Sequence, residues 1–223
     1  MLSGPYLQTL KNMLSVRVTA CTDLVYIEAG VNSATTYVYR RQHSFLKKLM
    51  ARPGFSNSYV GWAISKAIEA RSPMGRAICH LMNIPQPDDS HLVAAVRTSD
   101  TTRRKQYSEM NPSLERHPMY SSNSLPEFAR IAATRLRTGS HFLRVETGRW
   151  SRLDLKDRVC SCDNTSIQDE RHVLLTCILT ADIRDSYPEL NTYQSLNSLF
   201  QHDNVHAVAM FCYKVLNKIQ NLL

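Results

Sequence analysis

No apolar run in the 223 residues approaches the roughly 18 that a membrane-spanning helix needs. The opening, MLSGPYLQTLKNMLSVR, has no continuous apolar core, so a secretory signal is not expected and an intracellular location, nuclear or cytoplasmic, is. Glycine is scarce, at seven residues, and 43% of the chain is hydrophobic, which excludes collagen-like and low-complexity classes and argues against wholesale disorder. Alternating strand patterns longer than a few residues are missing, as are internal repeats. There is no Gly-rich phosphate loop, no H-E-x-x-H and no G-x-S-x-G. Asp169-Glu170-Arg171-His172 offers an acid and an imidazole but no nucleophile, so an independent enzyme activity is not expected. Acidic residues are also in deficit. Lys and Arg number 27 against 19 Asp and Glu, a net charge of +8, which points to an anionic partner, most simply nucleic acid.

What is present reads as an all-α protein: a helical scaffold with a small C-x-C…H…C zinc-knuckle-like segment. Ser33 is placed to cap a helix over 34–52, closed by Pro53-Gly54. Ser58 can start a second helix through Ala70, and Ser72-Pro73 a third through Asn83. After the Pro85–Pro87 break, Asp88, Asp89 or Ser90 can cap a polar helix running towards Met110. Residues 111–126 hold three prolines and four serines and read as a linker between a helical region at 1–110 and a second domain at 127–223. In that domain a helix over 126–138 has Gly139 for a left-handed cap and a core stripe of Phe128, Ala132 and Leu136. The last helix, about 205–222, stacks Val205, Val208, Cys212, Val215, Leu216 and Ile219 on one stripe, making Cys212 a core thiol.

Of six cysteines, three lie between 160 and 177 and the rest are scattered, which is not a disulfide framework. Cys160, Cys162, His172 and Cys177 form C-x-C-x9-H-x4-C, a three-thiolate, one-imidazole set suited to a closed structural zinc. Alternate residues of an extended segment face the same way, so Cys160 and Cys162 can share an ion. His172 and Cys177 are five apart, about 140° around a regular helix, so the helix must end or break near Cys177. The competing reading is a surface histidine with incidental thiols.

The segments RIAATRLRTGSHFLRVETGRWSRLDLKDRVCSCD (130–163) and QDERHVLLTCILTADIR (168–184) resemble the C-terminal, post-polymerase region of non-LTR (LINE-type) retrotransposon reverse transcriptases. Residues 15–30 and 37–49 are similar to the stretch between that family's polymerase thumb and its knuckle. The resemblance implies that Cys160, Cys162, His172 and Cys177 are zinc ligands in a region that grips RNA and DNA. The chain departs from the family pattern in two places: Thr176-Cys177-Ile178 stands where His-Cys-Pro is common, and Ser15 where glycine is common. No Tyr-x-Asp-Asp polymerase motif is present, and Met1 falls in mid-course of the family's reading frame, as in a truncated copy or a co-opted tail.

The residues expected to hold nucleic acid are Arg130, Arg135, Arg137, Arg144, Arg149, Trp150, Arg152 and Arg158, with His141, Phe142 and Trp150 interleaved for stacking. Arg130 and Arg137 share the helix face opposite the core stripe. Arg40, Arg41, Lys47 and Lys48 form a second basic strip, either a backbone-tracking groove or a solvated face. Arg103-Arg104-Lys105 is a short nuclear-targeting hint. The partner would be RNA or DNA. The alternatives are a helical docking module for the family's upstream polymerase domain, or an inert remnant.

Overall fold

The computed structural model describes residues 3–83 and 88–222. Twelve α-helices follow in chain order among them: α1 (Ser3–Met13), α2 (Thr22–Ala29), α3 (Ala34–Met50), α4 (Tyr59–Glu69), α5 (Pro73–Asn83), α6 (Ser90–Arg97), α7 (Thr102–Met110), α8 (Glu127–Thr138), α9 (Arg144–Trp150), α10 (Ala181–Asp185), α11 (Leu196–Phe200) and α12 (Val205–Asn221). The protein is all-α. The only extended pairing among the described residues is one antiparallel bridge, Val159 with Ile167. No described helix is long and apolar enough to cross a membrane.

The chain divides into two compact units, residues 1–6 with 32–91 and residues 7–31 with 92–223. This replaces the expected division at 111–126. That segment lies inside the larger unit, because Asn111, Leu114, His117, Met119 and Leu125 all turn inward. Pro118 opens a short 3-10 helix there, a position where its missing N–H costs nothing.

In the smaller unit the cap residues act as expected. Ser33 Oγ accepts the Thr36 N–H, Ser58 Oγ that of Gly61, and Ser72 Oγ that of Gly75. Asp89 accepts bonds from Ser33 N, Ser33 Oγ and Thr36 Oγ1, so it braces the start of α3. The Pro85–Pro87 break lies outside the described residues. The single helix expected up to Met110 is two helices. Thr98 Oγ1 turns back onto the Ala94 carbonyl, and Thr101 is extended and restarts the chain as α7.

The larger unit has its core between α8 and α12, filled by Leu136, Leu143, Leu174, Phe200, Phe211 and Cys212. Cys212 is fully buried, on the stripe expected of α12. Phe128 is not in the core; it is exposed at the start of α8 against the Tyr213 ring, 4.5 Å between centroids. Gly139 ends α8 in the left-handed conformation at φ 61°. A buried charge cluster pins α8 to its neighbours. Glu28 of α2 accepts two bonds from Arg137, at 2.8 and 3.0 Å, and one each from the hydroxyls of Tyr107 and Tyr120. Burial alone would raise the Glu28 pKa, but the Arg137 charge and these donors hold it below the usual carboxylate range.

Candidate metal centre and basic surface

Cys160 and Cys162 sit on a tight turn-back of the chain. The Val159–Ile167 bridge is flanked by Cys160 N–H bonded to the Ser166 carbonyl at 2.7 Å and Gln168 N–H to that of Arg158 at 2.9 Å. Asp163 closes the turn by accepting the Thr165 and Ser166 N–H groups and the Ser166 hydroxyl. Those bonds hold its carboxyl well below the ordinary value.

His172 opens a five-residue π-turn, His172–Thr176, in which the Cys177 N–H reaches the His172 carbonyl at 2.8 Å. The wider turn brings residues five apart back into line. Cys177 itself is extended, at φ −62° and ψ 128°, and ends the helix. The break required by the spacing is therefore present without a proline at 178. Ile178 is exposed and starts a new 3-10 turn.

The result brings all four predicted ligands together. Their ligand atoms lie within 4.8 Å of one another, with Cys160 Sγ to Cys177 Sγ at 3.7 Å and Cys162 Sγ to His172 Nε2 at 3.1 Å. A metal with bonds of about 2.3 Å to sulfur in tetrahedral array sets its sulfurs about 3.8 Å apart, so the cluster fits such an ion. Cys160 and Cys177 are buried, while Cys162 and His172 face partly outward. Outer contacts orient the set: Gln168 Nε2 approaches Cys160 Sγ at 3.6 Å, and Thr176 Oγ1 lies 3.3 Å from His172 Nδ1. Gln168 is also fixed, its Oε1 accepting the Arg144 N–H. Burial and the neighbouring thiols push Cys162 up to about 12. Burial pulls His172 down, towards the neutral form a metal takes.

The predicted nucleic-acid residues separate into two groups. Arg137 is fully buried on Glu28 and serves the fold, because α2 and α7 cover the helix face that looked free in the sequence. Arg158 is likewise occupied, donating to the Leu153 and Val145 carbonyls and closing the loop after α9. Arg135, Arg144, Arg149, Arg152 and Trp150 are exposed, and Arg130 is half-buried. His141 is buried against Glu170 at 2.6 Å, which removes it from any stacking surface, and Phe142 packs on the core. Arg103 and His141 hold the Glu170 carboxyl down to about 2 against the opposite pull of its burial. Arg103 and Arg104 are tied to Glu170 and Asp23 rather than displayed as a basic run.

In the smaller unit Arg40, His43, Ser44, Lys47 and Lys48 line one shallow basic hollow on α3, and Arg41 lies over the Tyr37 ring. Two contributors were not legible in the sequence. Gln168 carries no motif, and Arg17, stacked on Trp150 with 3.9 Å to the ring centroid, is 133 positions away from it. No family model matches the sequence, and no curated protein or solved structure is significantly similar to it.

Proposed function

We propose that the protein is a non-catalytic nucleic-acid-binding segment, of the kind found after the polymerase in retrotransposon-type reverse transcriptases, built around a structural zinc. The observation that carries the reading is the convergence of three thiols and one imidazole beside an exposed arginine surface on α9. Zinc suits the donor set: sulfur-rich, four-coordinate and closed, with no position left for a reacting water. The ion would be held by Cys160, Cys162, His172 and Cys177, and would fasten the 158–168 turn to the π-turn. Ser15 also supports the resemblance, since it takes the left-handed conformation, φ 52°, that a glycine would favour. Arg135, Arg144, Arg149 and Arg152 then offer phosphate contacts, with shape and charge outweighing base readout.

Two measurements test this. Protein purified without added metal should contain one zinc per chain, and Cys160→Ser should lose it. Binding to RNA and DNA should weaken steeply with salt, each lost phosphate contact lowering the slope by about one unit. A well-folded protein without zinc, or one that shifts no nucleic acid at low salt, would overturn the reading and favour a docking module.

A further inference from the structure

The larger unit holds a cleft of about 300 Å³ whose basic wall is Arg17, Arg103, Arg104 and Arg149. Two of these guanidiniums are committed to carboxylates. Arg103 pairs with Glu146 and Glu170, and Arg104 lies 2.8 Å from Asp23. Arg149 gives one nitrogen to Glu146 at 2.9 Å and remains exposed. Arg17 has no carboxylate partner among the described residues. Its backbone N–H is anchored on Ser140 Oγ, and its guanidinium lies over the ring of the half-exposed Trp150, 3.9 Å from the centroid. Arg135, fixed on the Ser15 carbonyl at 2.9 Å, adds a further charge close by. Burial, and then the nearby charges of Arg135 and Arg149, pull the Arg17 guanidinium below its ordinary value. Around the cleft, five guanidiniums (Arg17, Arg103, Arg104, Arg135, Arg149) meet three carboxylates (Asp23, Glu146, Glu170).

We infer that this cleft is a phosphate subsite for a single strand, with Arg17 and Arg149 taking one phosphate group and the Trp150 plane taking the adjoining base. A guanidinium already stacked on an indole is held flat, with its edge donors free to fork onto phosphate oxygens. An indole half in solvent offers the sequence-tolerant stacking face that single strands use and duplexes withhold. The committed pairs of Arg103 and Arg104 act as a rigid wall. The inference rests on the nucleic-acid reading above and adds to it a place and a strand type.

The test follows Trp150 fluorescence in a Trp62→Phe protein, which leaves one indole. A short oligouridylate should quench it, and the matching duplex should not. Arg17→Ala should weaken oligouridylate binding by roughly tenfold and lower the salt slope by about one unit, with circular dichroism unchanged. Arg17→Lys should restore the slope but not the full affinity, because it lacks the planar stack. Oligouridylate binding unaltered by Arg17→Ala, with no quenching, overturns the subsite and leaves the wider arginine surface standing. If no oligonucleotide binds but inorganic phosphate raises the thermal midpoint of the wild type and not of Arg17→Ala, the subsite stands for free phosphate and the nucleic-acid reading falls. If neither ligand acts, both fall.

Discussion

Ser15 keeps a positive φ on a residue with a Cβ, and its carbonyl is the acceptor for Arg135. Ser15→Gly relieves the steric cost of that conformation and should stabilise the protein by about 1 kcal/mol in urea unfolding, with the Arg135 contact kept. Arg137 is the opposite case, a charge whose removal strands another. Arg137→Met leaves Glu28 buried and unpaired and should cost about 3–5 kcal/mol, much of it recovered when Glu28→Gln is added. The same pair sets an acid limit. Glu28 titrates lower in the folded chain than in the unfolded one, so its contribution is complete above the ordinary carboxylate pKa of about 4.3. It is lost as pH falls from there towards the folded value. The urea midpoint should therefore drop below about pH 4, and drop less steeply in the Glu28→Gln, Arg137→Met double variant.

Helix ends were the most legible elements, because a cap is a local device. Ser33, Ser58, Ser72 and Gly139 each act where the sequence puts them. The ligand spacing was legible for a similar reason, and it even required the break that the π-turn supplies. What the pattern hid depends on partners distant in sequence. A helical wheel shows which face of α8 is apolar, but not that α2 and α7 cover the other face and claim Arg137. Serines and prolines at 111–126 imitate a linker, although His117 there is buried, with Nε2 on the Phe200 carbonyl at 2.9 Å. Two substitutions test element geometry. Cys177 already has the backbone that precedes a proline, and Ile178 opens a helical turn, so Ile178→Pro should keep metal binding and add about 0.4–1 kcal/mol of stability. At Gly75 on α5 a Cβ would meet the Ala67 carbonyl oxygen of α4 at 2.0 Å. Gly75→Ala should thus destabilise by about 1–3 kcal/mol, against the gain an open helix site would show, read as a lower thermal midpoint.

Across the whole molecule the metal segment is joined to the core rather than appended to it. Val173 and Leu174, between His172 and Cys177, are fully buried with α8 and α12. Chelation should therefore release hydrogen-exchange protection first at 158–180 and then along the facing part of α12, rather than at the turn alone. The larger unit is also discontinuous in sequence, residues 7–31 joining residues that begin at 92. Glu28 meets Tyr107, Tyr120 and Arg137, which lie 79, 92 and 109 positions further on. At synthesis rates of about 5–20 residues per second, α2 leaves the ribosome roughly 5–20 s before its last partner is made. Until Val96, Tyr107 and Leu114 emerge, Leu24 and Ile27 lack the core partners they have in the finished unit. The nascent chain thus carries a sticky, unfinished helix until those later residues follow, and ribosome-bound chaperones should engage it there.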